Sequence, residues 1–263
     1  LLVAARRALA VGDVKQARSA LVDVAAEADD TLLEKFLSGA DLTVDEIHIG
    51  LREGVLHRSF VPALPLAAMP FLGLDLFLDT ILDLLPSPDQ LGAVVGKKPG
   101  SEEKVELKPE SGGPLAALVF KTSGEGQAGD VSLIRVFSGT LTHGKEVFNS
   151  SAQRAEKIGQ IYVVQGKERK DAHSIGAGDI GAAVKLRETH TGQTLCDKAY
   201  PIVLRGIPFP EANHEVSIAP KSKGEDEKVG SGLHRLREED PTLHVRVEGD
   251  LHLAGGAPFE DDV

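Results

Sequence analysis

Between Pro114 and Leu195 the chain is cut into short alternating segments by Gly139, Gly144, Gly176, Gly178 and Gly192, spaced like turns. The segments include LIRVFSGTLTHGKEVFN (Leu133–Asn149) and IGAGDIGAAVKLRETHTGQTL (Ile175–Leu195). Apolar residues alternate at Ile134 and Val136 and at Ala116, Leu118 and Phe120, which predicts strands with one buried face. Short strands joined by glycine turns fold as a small closed or nearly closed β-barrel.

Helical spacing precedes this region. Ala17, Leu21, Val24, Ala25 and Ala28 repeat at three and four residues within Val14–Ser38. Thr31 and Glu34 stand at capping-box spacing before a stripe of Leu32, Leu33, Phe36 and Leu37, and Gly39 suits its end. Thr43 and Glu46 repeat the capping signal before Ile47 and Leu51, with Gly54 as a stop. Phe60–Leu66 reads as a short strand ending near Pro65. Gly73–Leu85 reads as an amphipathic helix carrying Leu74, Phe77, Leu78, Ile81, Leu82 and Leu85, stopped by Pro86–Pro88. Residues 89–113, rich in Gly, Pro, Lys, Glu and Ser, read as an interdomain connection. Past Ile207–Pro210, a strand (HEVSIAP), a helix over Lys223–Glu238 and a strand over Thr242–Glu248 suggest the start of a small α+β domain.

The 263 residues suffice for roughly two domains, and a net charge of −11 excludes a protein that coats nucleic acid through a general positive field. The charge is uneven: nine acids against two bases in Asp23–Glu53, but seven bases in Arg154–Arg187. RNA contact would therefore use the second region. A single cysteine, Cys196, precludes an internal disulfide and suits a reducing cytosol. The opening apolar run is broken by Arg6 and Arg7, so neither a signal peptide nor a membrane span is expected.

Catalytic motifs are missing or false. Gly92–Lys98 is one residue short of a phosphate loop and has Lys98 where a magnesium-binding hydroxyl belongs. Asp89–Gly92 fits D-x-x-G only formally, and no Asn-Lys-x-Asp string occurs. The nine histidines offer no metal-ligand spacing, His244 and His252 being too far apart for one helical face. His190 is expected in a solvent-facing turn. No catalytic residue and no metal site is predicted, and no machinery for phosphoryl transfer.

Three blocks resemble bacterial translation elongation factor G, in that family's order. Ala17–Gly39 with Phe60–Pro88 resembles the last part of its GTP-binding domain, after the inserted subdomain. Pro114–Thr122, Ile134–Leu141 and Gly176–Leu195 resemble its barrel, and Val216–Val245 the opening of its third domain. The resemblance implies a multidomain fold, α/β plus all-β. Residues 1–90 would be the C-terminal part of a P-loop GTPase-type α/β domain with the end of its inserted subdomain. Residues 91–113 would be a linker, 114–205 a translation-factor β-barrel, and 206–263 a truncated ferredoxin-like α+β domain.

By the same resemblance, the intact protein binds GTP and GDP with magnesium, docks on the ribosome, and promotes translocation of tRNA and mRNA. It would be a cytoplasmic monomer with no membrane partner. Ala67 and Ala68 occupy the family's guanine loop, with Ala67 where serine is usual, so the serine's support is missing. Lys167, Arg169 and Lys170 are the candidate RNA-binding residues. Because this chain lacks the phosphate loop, switch regions and Asn-Lys-x-Asp motif, whether its source hydrolyses GTP stays open. A ribosome-binding module or paralogue without GTPase activity is an alternative, as is a recycling or ribosome-protection GTPase. Near the end, VEGDLHLA (Val247–Ala254) resembles a family word that follows the preceding strand too closely, as though a hairpin of about a dozen residues were absent.

Overall fold

The computed structural model describes residues 14–124, 130–166, 168–220, 222, 224–248 and 251–256. The chain divides into two units, Leu1–Leu91 and Gly92–Val263.

The first unit's regular elements are helices: α1 (Val14–Glu27), α2 (Asp30–Leu37), α3 (Val44–Leu56) and α4 (Leu74–Leu84), with a 3-10 turn at Pro88–Leu91. Its core is Ala25, Ala26, Leu32, Leu42 and Ile47, with Val22, Phe36 and Leu51 packed against them. Gly50 lets α3 lie directly against the Ala25 backbone of α1, where a Cβ would collide with the Ala25 carbonyl. Gly54 is buried against the Phe60 ring, and the helix runs on to Leu56 rather than stopping at this glycine. The Thr43–Glu46 capping box forms as expected, and Lys35 bridges α2 to α3 through Glu46 at 2.6 Å. The other box does not form. Asp29 caps α2 instead, accepting from Thr31 N–H and Leu32 N–H, because its carboxylate is the stronger acceptor and already stands at the cap position ahead of the Thr31 hydroxyl.

Phe60–Leu66 is not a strand. Pro62 and Pro65 have no N–H to donate, and the only pairing near that stretch is one bridge, Ala67 to Leu72. The amphipathic helix stands where its sequence puts it, yet no α4 residue is buried and Leu82 is 78% exposed.

The second unit begins where a connection is expected. Its strands are β1 (Val94–Lys97), β2 (Lys104–Leu107), β3 (Ala116–Gly124), β4 (Asp130–Ser138), β5 (Thr140–Thr142) and β6 (Glu146–Asn149). They continue with β7 (Arg154–Lys157), β8 (Ile161–Gln165), β9 (Glu168–Ala172), β10 (Ser174–Gly176), β11 (Ile180–Val184), β12 (Thr194–Cys196) and β13 (Val203–Leu204). An eight-stranded antiparallel sheet runs in the order β7-β6-β12-β3-β4-β11-β8-β9, beside a β5–β10 ribbon. Ala117, Val119, Ile134, Val136, Leu141, Ile158, Ile161, Ile175, Ala183 and Leu195 converge on one core. Sheet and ribbon thus wrap a common interior, which is barrel architecture. Gly139 has φ of 73°, and a Cβ there would lie 2.6 Å from Leu115 Cα, so this turn admits only glycine.

Residues 91–113 are not an open linker. β1 and β2 form a hairpin that pairs through β1 with β13, making a second, three-stranded sheet. Val94, Val105 and Leu107 pack on Ala116, Leu118, Cys196, Ile202 and Leu204. Ala116 and Leu118 therefore face this second core while Ala117 and Val119 face the first, so β3 is buried on both sides. The pseudo-phosphate loop lies on β1, as part of this hairpin.

Beyond the barrel come β14 (His214–Ile218), α5 (Asp226–Glu239), β15 (His244–Glu248) and β16 (Leu251–Gly256). Their sheet order is β14-β16-β15, with β16 antiparallel to both neighbours. β14 and β15 are thus parallel, joined by α5 and separated by a third strand, which is a split βαβ unit of the ferredoxin-like kind. Glu248 pairs with Leu251 in the β15–β16 ladder, and residues 249–250, where the sequence suggests an absent hairpin, lie outside the described residues.

Candidate nucleic-acid interface and guanine loop

The two sequence-predicted sites lie in different units. Ala67 and Ala68 stand at the turn into α4. Ala67 N–H donates to Leu72 O at 3.0 Å and Leu72 N–H returns to Ala67 O at 3.1 Å, with Phe71 at φ 54°. A Cβ on Gly73 would lie 2.8 Å from Pro65 O, so the corner is tight. The Ala67 amide is therefore committed to the loop itself, and between these two residues the amide of Ala68, an exposed residue, is the one left to face a base. Met69 and Phe71 beside it are 90% and 72% exposed.

The basic candidates lie on the β8–β9 hairpin at the edge of the large sheet. Lys167 lies outside the described residues. Register separates the other two: Val164 pairs with Arg169 and Tyr162 with Asp171, whereas Val163 pairs with Lys170 and Ile161 with Ala172. Successive strand residues point to opposite faces, so Arg169 and Lys170 do not form one patch. Lys170 shares the face of the core residue Ile161, while Arg169 shares the outward face with Tyr162. The Arg169 guanidinium sits 6.0 Å from the Tyr162 ring centroid. Glu168 and Asp171 interleave the bases and dilute their field. Arg154, in the same basic stretch, is paired with Glu188 at 2.5 Å.

The outward face holds more than the charge pattern indicates. Tyr162 pairs with Ala182, and Ile180 of β11 pairs with Arg135 of β4. Arg135 lies over the Phe137 ring at 5.4 Å, a ring that itself packs against the second core, and Ile180 and Val164 are exposed. Basic groups stacked on aromatic rings beside apolar side chains suit a contact that combines phosphate attraction with stacking. The sequence signal is period-2 alternation through Tyr162 and Val164, easily passed over in a chain so poor in aromatics.

The surrounding polar network holds loops rather than ligands. Buried Glu156 accepts from Arg187 N–H, Glu188 N–H and Thr189 Oγ1. Asn149 Nδ2 donates to Glu188 O, Thr189 Oγ1 and Gln193 Oε1. Burial pushes the Cys196 thiol up from its ordinary value, and the residue is fully enclosed, so it is a packing residue. Among the described residues no cluster could hold a metal ion, and no helix is long and apolar enough to cross a membrane.

Comparison with known proteins follows the same division. Residues 114–198 match the family Elongation factor G domain 2, and residues 209–252 match Elongation Factor G, domain III. The chain is elongation factor G-like. Its barrel and split βαβ unit match successive domain models of that translation-factor family. A crystal structure from Thermus thermophilus is similar over 93% of this chain, with a TM-score of 0.73 and 25% identity. The elongation factor G-like chain spans 34% of that protein's length.

Proposed function

We propose that this elongation factor G-like chain belongs to a GTPase that acts on the ribosome and promotes movement of tRNA and mRNA. The observation that carries the reading is the pairing of two successive domains, each with its own family match, on a barrel followed directly by a split βαβ unit. In this reading the barrel's outward face, with Arg169 on Tyr162 and Arg135 on Phe137, meets ribosomal RNA. GTP, with magnesium, would supply a hydrolysable phosphoanhydride in the intact protein, its cleavage by water leaving GDP and phosphate. This chain would offer it the Ala68 amide, with Ala67 shaping the turn, and no phosphate-binding group of its own.

Sedimentation with ribosomes across a salt series tests the interface. Arg169→Ala should weaken binding and reduce the salt slope by about one. Tyr162→Ala should weaken it at every salt concentration, by removing stacking. Unchanged affinity in both variants would exclude this face from the contact. The commitment of the Ala67 amide to Leu72 favours a second reading, a ribosome-binding module without nucleotide function. Calorimetric titration of the full-length source protein separates the two: no GTP or GDP affinity would leave only the module.

A further inference from the structure

The end of α5 reaches the barrel with two carboxylates. Glu238 Oε2 lies 2.5 Å from His190 Nδ1, and Glu239 Oε1 accepts from Gly124 N–H at 2.6 Å. Adjacent helical residues diverge by about 100°, so the two carboxylates reach two separate elements: the loop between β11 and β12, and the end of β3. The Glu238 side chain is only 15% exposed. His190 is therefore not a free turn residue; it is a docking point.

Both anchors are tied into the barrel. His190 N–H donates to Gln193 Oε1 at 3.0 Å, within the loop that Glu156 and Asn149 hold from below. Gly124 pairs with Asp130 at the mouth of the β3–β4 hairpin. A Cβ at Gly124 would lie 2.7 Å from Glu239 Oε1. Neither apolar cluster of the barrel includes a residue of α5. The helix brings carboxylates and the stem of Arg235 to the barrel, with Leu233 its one buried residue, and interfaces of this more polar kind open and reclose.

We propose that the C-terminal carboxylates of α5 form a two-point latch that fixes the βαβ module in one orientation on the barrel, and that its opening lets the module reorient. Spin labels on K157C and K228C, both exposed positions, report the distance from barrel to helix, with buried Cys196 left unlabelled. The parent protein should give one narrow distance distribution, and E238A/E239A a broad or bimodal one. Gly124→Ala should reproduce the effect by displacing the Glu239 carboxylate. Exchange of the Gly124 amide should rise roughly tenfold in Glu239→Ala, the scale of one charge-assisted hydrogen bond. A distribution unchanged in the double variant would overturn the latch. So would broadening accompanied by lost protection of β4 and β11 amides, since the carboxylates would then be supporting the barrel itself.

Discussion

Gly96→Ala distinguishes a packed hairpin from a loose connection by the sign of its effect. Gly96 pairs with Leu204 on one side and Val105 on the other. A Cβ there would lie 2.5 Å from Ile202 Cγ1, 2.6 Å from Ile202 Cδ1 and 2.8 Å from Val203 O. Ile202 is fully buried, so its side chain cannot swing into solvent, and the carbonyl belongs to a paired strand. Overpacking of this sort costs about 1–3 kcal/mol. At about 2–4 °C per kcal/mol for a unit of this size, the melting temperature should fall by roughly 2–12 °C. In an unpacked connection the same substitution would only restrict the unfolded chain and would stabilise by about 0.4–1 kcal/mol. Ile202→Val alone should cost about 0.5–1.5 kcal/mol, but less in the Gly96→Ala background, where it makes room. Urea denaturation followed by circular dichroism gives all four corners of the cycle. A Gly96→Ala variant as stable as its parent, or more so, refutes the hairpin packing.

Two further predictions concern carboxylates. Glu156→Gln turns one acceptor into a donor facing Arg187 N–H, Glu188 N–H and Thr189 Oγ1, and should cost about 1–3 kcal/mol in urea denaturation. Hydrogen bonding from Lys35, then from Thr43, lowers the Glu46 carboxyl from 4.5 to about 2. Because the folded value is the lower one, its stabilisation is present above pH 4.5 and is lost as pH falls toward 2. The melting-temperature gap between the parent and Glu46→Gln should close across that window; a gap constant with pH would mean that the charge is not responsible.

Local signals in the sequence carry a long way. The Thr43–Glu46 box, the helix after Gly73, the glycine turns of the barrel and the strand–helix–strand unit all depend on neighbours within a few residues. What stays hidden depends on distant partners. Residues 91–113 look like a connection because their polar composition is that of a loop. Their apolar content, Val94, Val105 and Leu107, matters only once Ile202 and Leu204 arrive from about a hundred residues later. Alternation in β3 misleads for a related reason. Its register shifts between Val119 and Lys121, so inward positions change from Ala117 and Val119 to Thr122, and Phe120 falls out of phase. At the candidate interface, three bases within four residues suggest one patch, but strand geometry sends Arg169 and Lys170 to opposite faces. His190 is legible as a turn residue, whereas its partner Glu238 lies 48 positions away.

β3 is where these long-range contacts meet. Its inner face fills the barrel core, and its outer face is covered by the β1–β2 hairpin. Midway, Val119 exchanges hydrogen bonds with the loop that carries His190, donating to Gln193 O and accepting from Gly192 N–H. At its far end, Gly124 donates to Glu239. The two latch anchors are thus not independent: one is the end of β3, and the other hangs on a loop tied to the middle of the same strand. The bulge at Phe120 lies between those two attachments. A strand held on both faces moves as a unit, so any force that α5 exerts through Glu238 and Glu239 is delivered to one rigid element rather than dissipated in two flexible loops. That arrangement makes β3, and not the more basic β8–β9 hairpin, the part of the barrel best placed to sense the position of the βαβ module.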